Sequence, residues 1–254
     1  MSIKVQGTLT EGNIGKTLIR FAIPYFIASF LQAFYGMADL YITGQFNGAA
    51  SITAVSVGSQ IMHMITVILI GLAMGTTVVL GNAVGAGDRK RASGIIGNSV
   101  ILFGVFSIIL MILLLCFADG ITSLMRTPGE AFSDTFRYLV ICFLGIPFIV
   151  AYNVISSIFR GMGDSRTPMY FVALACVINI VLDYAFIGGM GFGAAGAALG
   201  TVLSQAFSSV IAFIVIRKRK AVFSISKKDF VPDTGLIRQM LTVGSPVAVQ
   251  DGLI

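Results

Sequence analysis

The chain has 254 residues, of which 56% are hydrophobic and only 11% are charged, and its mean hydropathy is +0.94. This composition excludes a soluble globular protein, in which about 25% of residues are charged. The net charge of +6 does not indicate nucleic acid as a partner, because the basic residues fall in the short polar segments between long apolar ones. The sequence therefore predicts a protein whose main partner is the lipid bilayer.

Six apolar segments are each long enough to cross a bilayer, which takes about 20 residues of helix. In chain order they are residues 17–43, 52–84, 93–117, 134–159, 167–188 and 194–216. A seventh apolar segment begins near Ile237 and is cut off at Ile254. The sequence predicts an all-α membrane protein, a bundle of six transmembrane helices plus the start of a seventh.

Three regions follow from this pattern. We expect residues 1–216 to form an N-terminal six-helix transmembrane lobe, residues 217–236 to form a cytoplasmic linker, and residues 237–254 to be the truncated start of a second lobe. The polar residues 1–16 lack the apolar core of a cleavable signal peptide, so none is expected.

Lysine and arginine are concentrated on one side of the predicted membrane. If the N-terminus is cytoplasmic, 15 of the 17 basic residues lie on the cytoplasmic side, and only Arg126 and Arg137 lie outside. The positive-inside rule therefore predicts a cytoplasmic N-terminus. The run Arg217–Lys220, with Lys227 and Lys228, is either an anionic-lipid site or an ordinary basic flank and linker; we favour the flank and linker.

The first predicted helix carries an unusual polar stripe. Asp39 lies among apolar residues, where a carboxylate costs at least about 2.5 kcal/mol and marks an ion, proton or substrate pathway. Tyr35 precedes it by one helical turn and Gln32 by two, and both share its face. Pro24 removes a backbone hydrogen bond in the same helix and predicts either a fixed kink or a bend that moves.

Three later helices carry polar residues at a similar depth. Tyr138 lies near the outer start of the fourth span. Asn179 and Asp183 are four residues apart in the fifth, and Thr201 and Gln205 are four apart in the sixth. At about 1.5 Å per residue, these residues and Asp39 all fall in the outer half of the bilayer. The sequence predicts that they converge on one polar site in the bundle.

Oxygen atoms dominate this predicted site. Carboxylate, amide and hydroxyl oxygens suit Na⁺ or another hard cation, and no histidine or cysteine accompanies them, so no transition metal is expected. Alternatively, the two coupled carboxylates exchange a proton. Asn179, Thr201 and Gln205 also have a purely structural interpretation, as hydrogen-bond bridges between helices.

Other chemistry is not indicated by the sequence. Cys116, Cys142 and Cys176 lie in apolar stretches without paired or metal-like spacing, so we expect buried, inert thiols. The chain has no nucleophile–base pair and no phosphate-binding loop of the GxxxxGK[ST] kind. We therefore expect neither an enzyme nor a bound cofactor.

Two kinds of repeat point to a transporter. Residues 85–89 (GAGDR) and 161–166 (GMGDSR) share a pattern, and Ala22–Pro24 (AIP) is echoed by Gly244–Pro246 (GSP). The second echo predicts parallel halves, which are common in transporters.

Residues 36–44 (GMADLYITG), 160–168 (RGMGDSRTP) and 179–201 (NIVLDYAFIGGMGFGAAGAALGT) resemble the multidrug and toxic compound extrusion (MATE) transporters. The similarity covers essentially the whole chain and is greatest to the DinF-like branch of bacteria and archaea.

This resemblance implies a secondary antiporter of two six-helix lobes in a bacterial or archaeal inner membrane. It would export hydrophobic or cationic small molecules against Na⁺ or H⁺. The resemblance places the coupling-cation site of the N-terminal lobe at Asp39, Asn179, Asp183 and Thr201. It also makes Tyr138 a supporting polar residue and Pro24 the bending proline.

The chain departs from that family in length, because the C-terminal lobe is missing apart from part of its first helix. Two alternatives therefore stay open. A relative that flips lipid-linked oligosaccharides is disfavoured, because no lysine or arginine lies in mid-membrane to bind phosphate head groups. The second alternative is a non-transporting half-transporter fragment, which must pair with another lobe.

Overall fold

The computed structural model describes residues 13–218 and 227–253, and every regular element within these ranges is helical. The α-helices are α1 (Ile14–Phe46), α2 (Ala49–Gly85), α3 (Arg89–Cys116), α4 (Ala118–Leu124), α5 (Gly129–Leu144), α6 (Ile146–Gly161), α7 (Arg166–Asp183), α8 (Gly193–Lys218) and α9 (Thr234–Gly252). A π-helical segment, Tyr184–Gly189, extends α7, and a 3₁₀ turn, Lys227–Phe230, precedes α9. The predicted all-α class is confirmed.

Each predicted span coincides with helix in the structure. Helices α1, α2, α3 and α8, and α7 with its π segment, are each long and apolar enough to cross a membrane, whereas α5 and α6 meet this condition only when they are taken together as one bent span. The fourth predicted span, 134–159, is thus two helices that meet at 50°. Gly145 and Pro147 explain the break: Pro147 stands in the first turn of α6 and has no N–H, and a side chain at Gly145 would collide with Val202 of α8.

The seventh helix begins at Thr234, three residues before the predicted start at Ile237. The Asp233 carboxylate explains this start, because it accepts the free backbone N–H groups of Gly235 and Leu236 at 2.8 and 3.2 Å. Residues 1–12 and 219–226 and the side chains of the basic run Arg217–Lys220, Lys227 and Lys228 lie outside the described residues.

Helix α9 packs against α2 at backbone distance. A Cβ atom on Gly71 or Gly75 of α2, or on Gly244 of α9, would overlap the backbone of the other helix. Met240 of α9 is buried and its sulfur accepts the Thr76 hydroxyl of α2 at 3.5 Å. Small residues that let two backbones touch are the usual means of helix association in lipid, where no hydrophobic effect drives it.

The segment before α9 is fixed to α3 by one buried amide. Asn98 is 2% exposed. Its Nδ2 donates to the Val231 carbonyl at 3.3 Å, and its Oδ1 accepts the Asp233 N–H at 2.7 Å. Gly97 leaves room for the Asp229 backbone to lie directly on α3. The end of the predicted linker is therefore anchored on the bundle.

The two similar loops found in the sequence fold in the same way. Gly87 and Gly163 have φ of +73° and +82°, in the left-handed region that glycine favours, and each ends a helix. Asp88 then accepts the Arg91 N–H at 2.9 Å and caps α3, and Asp164 accepts two N–H groups at the start of α7. We call the side of the bundle that carries both loops the basic end.

Burial of the cysteines follows prediction at two of three positions. Cys142 and Cys176 are buried, whereas Cys116 is exposed, so its predicted burial is wrong. Cys116 is the last residue of α3, whose outer face is a row of exposed apolar side chains such as Ile109 and Ile112. In a membrane helix, apolar neighbours indicate contact with lipid as readily as burial in protein.

Candidate functional site

Three helices bring the predicted ligands together. Asp39 on α1, Asn179 and Asp183 on α7, and Thr201 on α8 form a compact group that we call the carboxylate cluster. The Thr201 hydroxyl donates to Asp39 Oδ2 at 3.2 Å. Asn179 and Asp183 lie beside the Asp39 carboxylate. Both aspartates and Asn179 are buried, at 2%, 0% and 0% exposure.

Small residues in α8 allow this approach. A Cβ atom on Gly200 would overlap Asp183 Oδ1 and would lie 3.4 Å from Asn179 Nδ2. The helix containing Asp183 changes from α to π at the next residue, Tyr184. Such local widening of a helix is frequent at functional sites. The side chains of Asp183 and Asn179 on α7 therefore lie directly against the backbone of α8.

Several atoms of the cluster have no hydrogen-bond partner of standard geometry among the described residues. They are Asp39 Oδ1, both carboxylate oxygens of Asp183 and both amide atoms of Asn179; the nearby Thr43 hydroxyl is also unpaired. A buried polar atom without a partner costs about 1–3 kcal/mol, and a charged one costs more. The cluster therefore has oxygen atoms to spare for a ligand.

The chemistry of these atoms fits a small hard cation or protons. The atoms that can coordinate are all oxygens, the donor type that hard cations take. The nearest basic residue along α1 is Arg20, 19 residues before Asp39 and about 28 Å along the helix. With no nearby arginine or lysine in α1, α7 or α8 to neutralise them, two adjacent carboxylates need a bound cation or proton to coexist.

Two tyrosines border the cluster. The Tyr35 hydroxyl is 3.2 Å from the Ser204 hydroxyl on α8. Tyr138 is buried, and its hydroxyl lies 3.3 Å from that of Ser59 on α2. Tyr138 is also close enough to Asp39 for electrostatic interaction, but its hydrogen bond is to α2. Tyr138 therefore lies beside the cluster without forming a hydrogen bond with a carboxylate.

The other three predicted supporting residues make no hydrogen bond to the carboxylates in the described part of the chain. Gln205 is half-buried, and its amide oxygen has no partner among the described residues. Gln32 is exposed, unlike the two buried carboxylates. Pro24 is buried within α1 and stands 15 residues before Asp39, about 22 Å along the helix. A role for Pro24 would therefore have to act through α1.

Sequence reasoning missed four residues of this region: Thr43, Ser59, Gly200 and Ser204. Spacing could have found two of them, because Thr43 follows Asp39 by four residues and Ser204 follows Thr201 by three, which places each on the same helical face. Ser59 and Gly200 carry no such signal, since serine and glycine are frequent throughout these helices.

Comparison with known proteins identifies relatives over nearly the whole chain. The family model MatE matches residues 24–185. The probable multidrug resistance protein NorM of Thermotoga maritima is 35% identical over 244 residues, covering 94% of this chain and 52% of that protein. The multidrug export protein MepA of Staphylococcus haemolyticus is 28% identical, covering 93% of this chain and 52% of that protein. The chain spans about half the length of these relatives.

Solved structures show the same likeness. A MOP superfamily transporter from Pyrococcus furiosus superposes with a TM-score of 0.90 at 30% identity, covering 99% of this chain and 55% of that chain. A structure described as MATE in the bent conformation gives a TM-score of 0.88 at 32% identity, covering 98% and 55%. The arrangement of helices described above is thus that of one half of these proteins.

Proposed function

Because the chain belongs to the MatE family, we propose that it supplies the cation-binding lobe of a secondary antiporter. The exporter would move hydrophobic or cationic small molecules out of the cell and would be driven by Na⁺ or H⁺. The proposal places this multi-pass membrane protein in a bacterial or archaeal inner membrane with its basic end in the cytoplasm, in accordance with the positive-inside rule.

One observation carries the proposal. Two carboxylates, Asp39 and Asp183, are buried side by side, and three of their four oxygen atoms have no hydrogen-bond partner of standard geometry among the described residues. Charged side chains are rare in membrane helices and are usually paired, because an unpaired charge there is energetically costly. Their retention, with Thr201 and Asn179 as neutral oxygen donors, is what a reversible cation site requires.

The geometry suggests how occupancy would act on the fold. The cluster draws on α1, α7 and α8, so a bound cation would hold Asp39 of α1 against the other two helices. Protons compete with the cation, because protonation removes the charge that attracts it. Occupancy favours one conformation only to the extent that the two conformations bind the cation differently. Pro24, which breaks the hydrogen-bond ladder of α1, gives that helix a place to bend.

Transport is proposed to need a second lobe. The relatives matched here are about twice as long as this chain, so the path for the exported molecule would be completed by a C-terminal lobe or by a second half-length chain. The cation site is independent of that partner, since all of its proposed ligands lie on α1, α7 and α8.

The test is Na⁺ binding to the purified chain between pH 5 and 9, with Asp183→Asn beside the wild type and Asp119→Asn as the control. Asp119 is an exposed acid on α4, which packs against α3 and α5 and not against the helices of the cluster. Saturable Na⁺ binding that protons displace, lost in Asp183→Asn and kept in Asp119→Asn, supports Na⁺ coupling.

Proton uptake without Na⁺ binding, lost in the same variant, supports H⁺ coupling. A folded chain that binds neither ion, or an Asp183→Asn variant that binds like the wild type, contradicts the proposed site.

A further inference from the structure

A cavity of about 620 Å³ lies at the basic end, far from the carboxylate cluster. Its walls come from the last two turns of α2, the first turn of α3 and the first half of α9. This volume is within the range of about 300–1,000 Å³ typical of small-molecule sites. The proposed transport function assigns it no role.

Two arginines give the cavity its chemistry. Arg91 of α3 and Arg238 of α9 both line it. Arg91 uses one N–H to reach Gln239 Oε1 at 3.0 Å, and neither guanidinium has an ion-pair partner among the described residues. The only acid in the lining is Asp88, whose carboxylate already accepts the Arg91 backbone N–H as the cap of α3. The cavity is therefore a cationic site with free donors for an anion.

The opposite wall of the cavity is apolar. Val79 and Ala83 of α2 and Val243 of α9 face the same space. Helix α2 has 37 residues and is about 55 Å long, which exceeds the ~40–45 Å of a bilayer with its head groups. The last turns of α2, and with them the cavity, therefore lie at head-group level. A ligand here would meet cationic and apolar surfaces together.

We propose that this arginine cavity binds the phosphate of an anionic phospholipid, with Arg91 and Arg238 holding the phosphate and Val79 and Val243 contacting the glycerol and the start of an acyl chain. Free phosphate shares the first contact but gains nothing from the apolar wall. Because the site joins α9 to α2 and α3, a bound lipid would also tie the seventh helix to the rest of the bundle.

Native mass spectrometry of the whole purified chain, released from detergent, tests this proposal. The chain is titrated with phosphatidylglycerol and, separately, with phosphatidylcholine, and the first bound lipid is counted. We expect phosphatidylglycerol to bind at lower concentration. The double variant R91Q/R238Q should raise its half-saturating concentration about thirtyfold, about fivefold for each arginine lost.

The chain offers a matched control in R89Q/K90Q. This variant removes two charges from the same turn of α3, from side chains outside the cavity lining, and should shift binding less than about threefold, since exposed charges are screened. A third variant, Thr242→Phe, fills the cavity from an exposed position of α9 without changing any charge. It should weaken phosphatidylglycerol binding even if the arginine variant is unstable.

Three results would overturn the assignment. Equal losses in R91Q/R238Q and R89Q/K90Q would mean diffuse attraction to a basic surface. Equal binding of phosphatidylcholine and phosphatidylglycerol, or unchanged binding in Thr242→Phe, would mean that the cavity is not the site. Displacement of the lipid by inorganic phosphate at millimolar concentration would assign the arginines to a soluble anion.

Discussion

Gly200 sets the distance between the Asp183 carboxylate and the backbone of α8, so the change Gly200→Ala tests the cluster without altering any charge. The added methyl group would overlap Asp183 Oδ1, which must withdraw by about 1 Å to reach ordinary contact. Asn179 needs to move little, because its Nδ2 would already lie 3.4 Å from the new atom. The substitution therefore displaces one proposed ligand selectively.

The size of the effect follows from this displacement. Hard cations lie about 2.4 Å from their oxygen ligands. At an effective dielectric constant of about 20, moving one carboxylate charge from about 2.4 to about 3.4 Å weakens its attraction by about 2 kcal/mol. That loss lowers the affinity for Na⁺ about thirtyfold. The overpacking cost of about 1–3 kcal/mol is partly offset by the roughly 1 kcal/mol that alanine gains over glycine in a helix, so the variant should remain folded.

Equilibrium dialysis with radioactive Na⁺ measures the affinity, and thermal unfolding reports whether the chain is folded. Gly104→Ala is the matched control, since Gly104 is a helical glycine of α3 with open space where its Cβ would stand. It should leave Na⁺ binding unchanged. A folded Gly200→Ala variant with wild-type affinity would refute the reasoning, because Asp183 would then be free to move without consequence for the cation.

Three further substitutions give distinct outcomes. Thr201→Val removes the hydroxyl that donates to Asp39 at 3.2 Å. The affinity for Na⁺ should fall about tenfold, as for loss of one hydrogen bond to a charged group. Thr201→Ser should restore the affinity, and equal affinities in both variants would exclude the hydroxyl as a ligand. Asn98→Ala removes both amide bonds to the linker, so the chain should lose about 1–3 kcal/mol of stability and exchange linker amides faster; unchanged hydrogen exchange would contradict the anchor. Gly75→Leu should lift α9 off α2, since no space exists there, and expose α9 to protease; Gly104→Leu should not, and identical digestion of the two would argue against close packing.

The carboxylate cluster was predictable because membrane helices make polar residues conspicuous. Asp39 and Asp183 stand alone in apolar stretches, and estimating depth along each helix was enough to place Thr201 near them. The contact of 3.2 Å between Thr201 and Asp39 agrees with that estimate, although the cation-binding role stays a prediction. The role of Gly200 could not be predicted from the sequence, since it depends on how closely α7 approaches α8.

Other features depend on information that one sequence does not contain. Gln32 shares a helical face with Asp39, yet it is exposed, since a shared face does not determine which of its positions a neighbouring helix covers. Cys116 is exposed for a related reason: lipid and protein interior are equally apolar, so composition does not distinguish them. The need for glycine at position 145, beside the bend, depends on the close approach of Val202, a residue 57 positions later in the chain.

The contact between α2 and α9, where Gly71, Gly75 and Gly244 let the two backbones touch, has a consequence for synthesis of the protein. Gly71 of α2 contacts Ala248 of α9. Roughly 180 residues separate the two, and translating them at ~5–20 residues per second takes about 9–35 seconds. During that interval the glycine face of α2 is without its native neighbour. Nascent α2 is therefore the helix of this bundle that an insertase or chaperone would have to shield for longest.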